Sequence, residues 1–89
     1  MPRYIRQPKT LIRKLREQSD TSQGHFARQA NIHRTQLSAV ENGDKAGPKV
    51  RNRIAAALEA EPSQLFHVNP INPGRAAYPI FEHEENRYA

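Results

Sequence analysis

Residues 22–43, SQGHFARQANIHRTQLSAVENG, decide the fold of this chain. Apolar side chains recur at helical spacing in the first half of the stretch and again in the second half. Between the halves, Asn31 tolerates the left-handed backbone conformation that a sharp turn needs. Asn42 and Gly43 end the second half, where glycine suits the residue after a helix. The stretch therefore predicts two short helices joined by a tight turn.

The second of these helices, expected from about His33 to Glu41, has a polar side. Ile32, Leu37 and Val40 anchor its apolar side on the core, which turns the other side to solvent. A short polar helix with a positive charge at its start can enter the major groove of DNA and reach base edges. The outward side chains are those of Arg34, Thr35, Ser38 and Ala39. The pattern indicates a helix-turn-helix.

Three further helices are expected around this pair. The first follows Thr10 as its N-cap and ends near Gln18, the fourth begins at Pro48, and a short last one runs from Pro62 to about His67. A chain of 89 residues has room for one modest core. We therefore predict an all-α, compact five-helix domain over residues 10–67.

Both ends of the chain differ from this domain. Residues 1–9 combine two prolines with three basic residues and predict a flexible basic N-terminal arm. Residues 68–89 are broken by proline and glycine and predict a short irregular C-terminal tail. The apolar run at residues 77–81 leaves three interpretations open: a short edge strand, a segment that docks on a second subunit or partner, or a disordered peptide.

The charge is unevenly distributed. The formal net charge is +5, and residues 1–66 hold 12 Lys and Arg against six acidic residues, whereas residues 67–89 hold two against three. A basic domain favours a polyanionic partner, although a solvated basic surface fits the charge alone equally well. With no cysteine and no long apolar stretch, we expect no disulfide, no membrane contact and a cytoplasmic location.

Catalytic and metal sites are not expected. The sequence contains no glycine-rich phosphate loop and no nucleophile elbow. Its four histidines have no recognised ligand spacing, and no cysteine supports them. The prediction is a protein that is not an enzyme and that has no metal and no cofactor.

Five short motifs, in matching order and spacing, resemble the Xre-type helix-turn-helix family, which includes the phage Cro and repressor domains. The motifs are Ile12-x-x-Leu15-Arg16, Ser22-Gln23 with Phe26-Ala27, Ser38 with Glu41-Asn42-Gly43, Ile54-Ala55-x-x-Leu58, and Pro62-Ser63-Gln64-Leu65-Phe66. The resemblance implies a lambda-repressor-like fold. Asn31 and Glu59 stand where the family often has glycine, and Gly24-His25 replaces its usual helix-forming pair.

The resemblance also implies roles for individual residues. Base edges would be contacted by Arg34, Thr35 and Ser38, with Ala39 against a thymine methyl. Backbone phosphates would be bound by Gln23, His33, Asn42 and Lys45, with further contacts from the basic residues of the fourth helix. Arg16 and Glu41 would form a partly buried ion pair that locks the first helix to the end of the third.

Three functions remain open at this stage. The first is a sequence-specific transcriptional regulator, a repressor or autoregulator that binds double-stranded DNA at an inverted-repeat operator as a homodimer. The second is an antitoxin that binds a protein toxin and autoregulates its operon. The third is a protein-interaction module with an incidental positive surface. The tail discriminates between the first two: residues 76–81 pair with a second subunit in one case and stay disordered until a toxin arrives in the other.

Overall fold

The structure, a computed structural model, describes residues 8–82 and consists of five short α-helices. The helices are α1 (Leu11–Gln18), α2 (Gln23–Ala30), α3 (Arg34–Glu41), α4 (Pro48–Ala57) and α5 (Pro62–Leu65). Helix α2 packs against α3 and α4, and α4 packs against α5. This architecture confirms the predicted all-α, five-helix fold. None of the helices within the described range is long and apolar enough to span a membrane.

Side-chain caps begin the first two helices, the first at the predicted Thr10. The Thr10 hydroxyl accepts the Arg13 N–H at 3.3 Å, and the Ser22 hydroxyl accepts the His25 N–H at 3.2 Å. Helix α2 ends at Ala30, and the next residue, its C-cap Asn31, is left-handed, with φ 59° and ψ 44°. In the turn between α2 and α3, asparagine therefore adopts the left-handed conformation for which glycine is the more usual residue.

The start of α3 and the end of α5 differ from the prediction. His33 is the N-cap of α3 rather than its first residue, and its N–H donates to the Gln36 side-chain oxygen at 3.0 Å. Helix α5 ends at Leu65 instead of near His67, because Phe66 has turned to an extended conformation with φ −135° and ψ 156°. That change lets Phe66 pair with Pro79 of the tail.

The core lies where the five helices meet. Its fully buried apolar side chains come from every helix, and small residues on α2 let the neighbouring helices approach closely. The core residues outside the tail are Ile12, Phe26, Ala27, Ala30, Leu37, Val40, Ala46, Ile54, Ala55, Leu65 and Phe66. Half-buried apolar side chains surround them, Leu15, Ile32 and Val50 among them.

The tail folds back over the domain as a C-terminal strap, defined here as residues 75–82. Isolated antiparallel bridges join Ala77 to Ala46, Pro79 to Phe66 and Phe81 to Thr10. The first joins the strap to the α3–α4 loop, the second to the end of α5, and the third to the N-cap of α1. The strap is therefore paired within its own chain, an arrangement that differs from both tail arrangements expected for a dimer and for an antitoxin.

Parts of the predicted arm and tail lie outside the described residues. For the N-terminal arm, only its last two positions, Pro8 and Lys9, are described, and Lys9 Nζ lies 2.6 Å from the Glu17 carboxylate. At the other end, residues 83–89 of the predicted tail are not described.

Candidate nucleic-acid interface

The predicted base-contacting residues share the outward side of α3. Arg34 and Thr35 are exposed, while Ser38 and Ala39 are half-buried. They recur at positions one, two, five and six of the helix, which places them on one face. The opposite side is held in the core by Leu37, which is fully buried. The helix therefore presents a short, polar, positively charged ridge to solvent.

The Arg34 side chain passes beside Gly24 at the start of α2. A Cβ atom at Gly24 would lie 3.8 Å from Cδ of Arg34, at ordinary van der Waals distance. An alanine would therefore fit at this position, and the contact with Arg34 does not explain why the sequence has glycine there.

The predicted phosphate-contacting residues lie at both ends of this ridge. His33 is exposed at the beginning of α3. Asn42, the C-cap of α3, and Lys45 in the following loop are exposed at the other end. Gln23, the first residue of α2, is half-buried, and its Nε2 donates to Glu41 Oε1 at 2.9 Å. This last bond was not predicted, and it ties one N–H of the Gln23 amide to the protein itself.

Arg16 and Glu41 form a buried, bidentate ion pair. Arg16 Nε donates to Glu41 Oε2 at 2.6 Å, and Nη2 donates to Oε1 at 3.0 Å. The remaining Nη1 donates to the Thr21 carbonyl at 2.7 Å. Only 9% of Arg16 and 3% of Glu41 are exposed. The pair therefore joins α1 to the last residue of α3 and to the loop before α2.

The electrostatics of the pair favour the charged guanidinium. The hydrogen bond with Glu41 raises the pKa of Arg16 above its ordinary value, the charge of Glu41 adds to this effect, and burial opposes it. A raised pKa in the folded state stabilises the fold at every pH below the ordinary arginine value. The contribution from Arg16 is therefore constant over the whole neutral range.

Arg51 of α4 has a structural role that the sequence pattern did not indicate. The prediction that the basic residues of the fourth helix contact phosphate is wrong for Arg51, which is only 2% exposed and so cannot reach DNA. Its Nη1 donates to the carbonyls of Ala46 at 3.0 Å and Arg75 at 2.6 Å, and Nη2 donates to the Pro73 carbonyl. Within the described residues, Nε has no acceptor.

The position of Arg51 within the sequence of α4 indicates that its side chain is buried. Arg51 precedes Ile54 by three residues and Ala55 by four, so it falls on the apolar side of the helix. A cation on that side needs acceptors inside the fold. Carbonyls of the α3–α4 loop and of the tail supply them, which makes Arg51 an anchor of the tail.

Comparison with known proteins agrees with this geometry. A family model described as helix-turn-helix matches residues 12–65, which include α2 to α5, all of α1 except its first residue, and more than half of the chain. No curated protein and no solved structure matches the chain. The matched family is one of DNA-binding regulatory domains. The chain therefore belongs to the Xre-type helix-turn-helix family and is a DNA-binding transcription regulator.

Proposed function

We propose that the protein is a repressor or autoregulator that binds an inverted-repeat operator as a homodimer. The observation that carries this proposal is the outward side of α3, on which Arg34 and Thr35 are exposed while Leu37 is buried in the core. Arg34 supplies paired donors for a guanine edge, and Thr35 and Ser38 supply hydroxyls. Ala39 supplies a methyl group for thymine contact.

The phosphate contacts flank this helix. Asn42 and Lys45 bind the DNA backbone beyond the C-terminal end of α3, and His33 binds it beside the N-terminal end. Gln23 binds a phosphate with the second N–H of its side-chain amide, which does not donate to Glu41. Backbone N–H groups at the start of α2 donate to the same phosphate. The hydrogen bond to Glu41 orients this amide before DNA arrives, so less side-chain entropy is lost on binding.

Dimerisation follows from the size of the recognition helix. A helix of eight residues contacts only a few base pairs, and two copies on an inverted repeat double that number. The strap is paired with its own domain, so it favours neither the dimer nor the antitoxin alternative. The exposed polar side of α3 is the feature that supports operator binding.

Arg34→Ala and Lys45→Ala test the division between base and phosphate contacts. Base-edge hydrogen bonds discriminate between sequences by about 1–3 kcal/mol per bidentate pair, whereas phosphate contacts only position the protein. We expect Arg34→Ala to relax the preference at one position of the site. Lys45→Ala should weaken binding to all sequences alike, as should Gln23→Ala, provided that the latter remains folded.

The measurement is selection from a random DNA pool, carried out with the unmodified protein and with each variant. If Arg34→Ala returned the same consensus as the unmodified protein with equal sharpness, α3 would not contact bases through Arg34. If the unmodified protein enriched no sequence at all, the proposed function would be wrong.

A further inference from the structure

We infer that Phe81 of the C-terminal strap positions the phosphate-binding loop that follows the recognition helix. This loop comprises residues 42–45 and carries Asn42 and Lys45 at its two ends. The inference rests on the proposed function, since it concerns how DNA phosphates are bound. It assigns Phe81 a role in DNA binding although the residue lies far from α3 in the sequence.

The contact between Phe81 and the loop is made at Gly43. Gly43 has a φ of 106°, a conformation that favours glycine. A Cβ atom built there would lie 3.1 Å from Cζ of Phe81 and 3.9 Å from Cε2. The tip of the aromatic ring therefore occupies the space that a side chain at position 43 would need, and it packs directly on the loop backbone.

The loop is fixed on its other side by α3. The Gly43 N–H donates to the Val40 carbonyl at 3.0 Å, and the Asp44 N–H donates to the Ala39 carbonyl at 3.0 Å. The backbone is thus held between the last turn of α3 and the Phe81 ring. Lys45 follows directly and is exposed. A backbone held from two sides presents the lysine within reach of a phosphate, and the contact is lost when the loop is displaced.

The ring itself is held by the pairing of the strap with α1. The Leu11 N–H donates to the Ile80 carbonyl at 2.8 Å, and the Glu82 N–H donates to the Lys9 carbonyl at 2.8 Å. These bonds fix the backbone on both sides of Phe81. Thr10, opposite Phe81, donates its hydroxyl to the Glu41 carbonyl at 3.1 Å. The strap, the start of α1 and the end of α3 therefore form one connected unit.

The experiment measures how DNA affinity depends on salt. The probe is a fluorescently labelled duplex of random sequence, because binding without sequence preference depends on phosphate contacts alone. Each lost cation–phosphate contact reduces the slope of log affinity against log salt by about 0.9. The variants are Phe81→Ala, Phe81→Leu, Lys45→Ala and the double variant Phe81→Ala with Lys45→Ala. Tyr78→Ala is the matched control, since Tyr78 is an aromatic residue of the same strap that is 58% exposed.

All titrations are made well below the melting temperature of each variant. We expect Lys45→Ala and Phe81→Ala each to reduce the slope by about 0.9 per subunit, and the double variant to reduce it no further. Phe81→Leu should reduce the slope by the same amount, because its apolar side chain ends short of the position of Cζ, the atom that lies on the loop. Tyr78→Ala should retain the slope of the unmodified protein. If Phe81→Ala proves unfolded by circular dichroism, Phe81→Val replaces it with the same expected slope.

Two results would overturn the inference. One is a reduced melting temperature of Phe81→Ala with an unchanged slope, which would mean that the ring only stabilises the fold. The other is an additive loss in the double variant, which would mean that Phe81 acts on contacts other than that of Lys45. Salt-independent binding by the unmodified protein is a different result, because it would contradict the proposed function itself.

Discussion

Glu41 forms hydrogen bonds with more parts of the site than any other predicted site residue does. Its carboxylate accepts two hydrogen bonds from Arg16 and one from Gln23, and its backbone carbonyl accepts the Thr10 hydroxyl. One side chain thus holds the end of the recognition helix against α1 and against the start of α2. Stability and presentation of the DNA-binding surface depend on the same carboxylate.

We expect Glu41→Ala to unfold the domain or nearly so. Removing one partner of a buried ion pair costs roughly 3–5 kcal/mol, because the other charge stays buried without compensation. A domain of this size has a free energy of unfolding near the lower end of the usual 5–15 kcal/mol. Thermal melts followed by circular dichroism measure the effect.

Glu59→Ala is the control for that melt. Glu59 is exposed, and its φ of 55° is unfavourable for alanine and glutamate alike, so the backbone strain is unchanged by the substitution. Surface changes of this kind usually stay within about 0.5 kcal/mol. Equal melting temperatures for the two variants would mean that the Arg16–Glu41 pair contributes no more than a solvated one.

Residue patterns predicted some of these contacts and not others. Family spacing indicated that Arg16 and Glu41 meet, and the register of α4 could have identified Arg51 as buried. The bond between Gln23 and Glu41 could not be predicted, because it depends on the rotamer of a long amide side chain. The packing of Phe81 on Gly43 joins residues too distant in sequence for any local pattern to relate them.

At the scale of whole elements, the tail is anchored by a buried charge. Arg51 donates to carbonyls on both sides of the gap between the α3–α4 loop and the tail. No carboxylate bonds to its guanidinium within the described range of the chain, so backbone dipoles alone stabilise the cation. This arrangement makes α4 and the C-terminal strap depend on each other.

We expect Arg51→Met to loosen the strap. Hydrogen bonds to a charged group contribute about 1.5–3 kcal/mol each, and removing the cost of burying the charge offsets part of the loss, so the free energy of unfolding should fall by about 2–4 kcal/mol. The amide protons of Ala77 and Ile80, which bond to Ala46 and Leu65, should exchange faster with solvent. Urea denaturation and amide hydrogen exchange measure the two effects.

Lys49→Met serves as the comparison, since Lys49 is an exposed cation of the same helix. It should leave both the free energy of unfolding and the exchange rates of the strap nearly unchanged. Similar exchange rates in the two variants would show that Arg51 does not hold the strap in place.

At the scale of the whole molecule, the five helices and their order follow from apolar periodicity, caps and breakers in the sequence. Their number, and the starts of α1, α4 and α5, agree with the prediction. The path of residues 75–82 could not be predicted from the sequence, because each bridge involves a single residue pair and joins distant parts of the chain. Such pairing leaves no repeated pattern in the sequence, whereas a helix repeats its pattern every turn.

The two-fold symmetry of the proposed dimer determines the spacing of the half-sites in its operator. Two recognition helices related by a two-fold axis reach the same face of DNA when the half-sites are about one helical turn, or roughly 34 Å, apart. We expect two protein subunits to bind one selected operator duplex, as measured by sedimentation equilibrium. Inserting about five base pairs between the half-sites turns one of them to the opposite face, so the affinity should fall to that of a single half-site. A duplex with one half-site scrambled gives that reference value. An operator that binds one subunit, or that keeps its full affinity after the insertion, would show that the protein acts as a monomer on DNA.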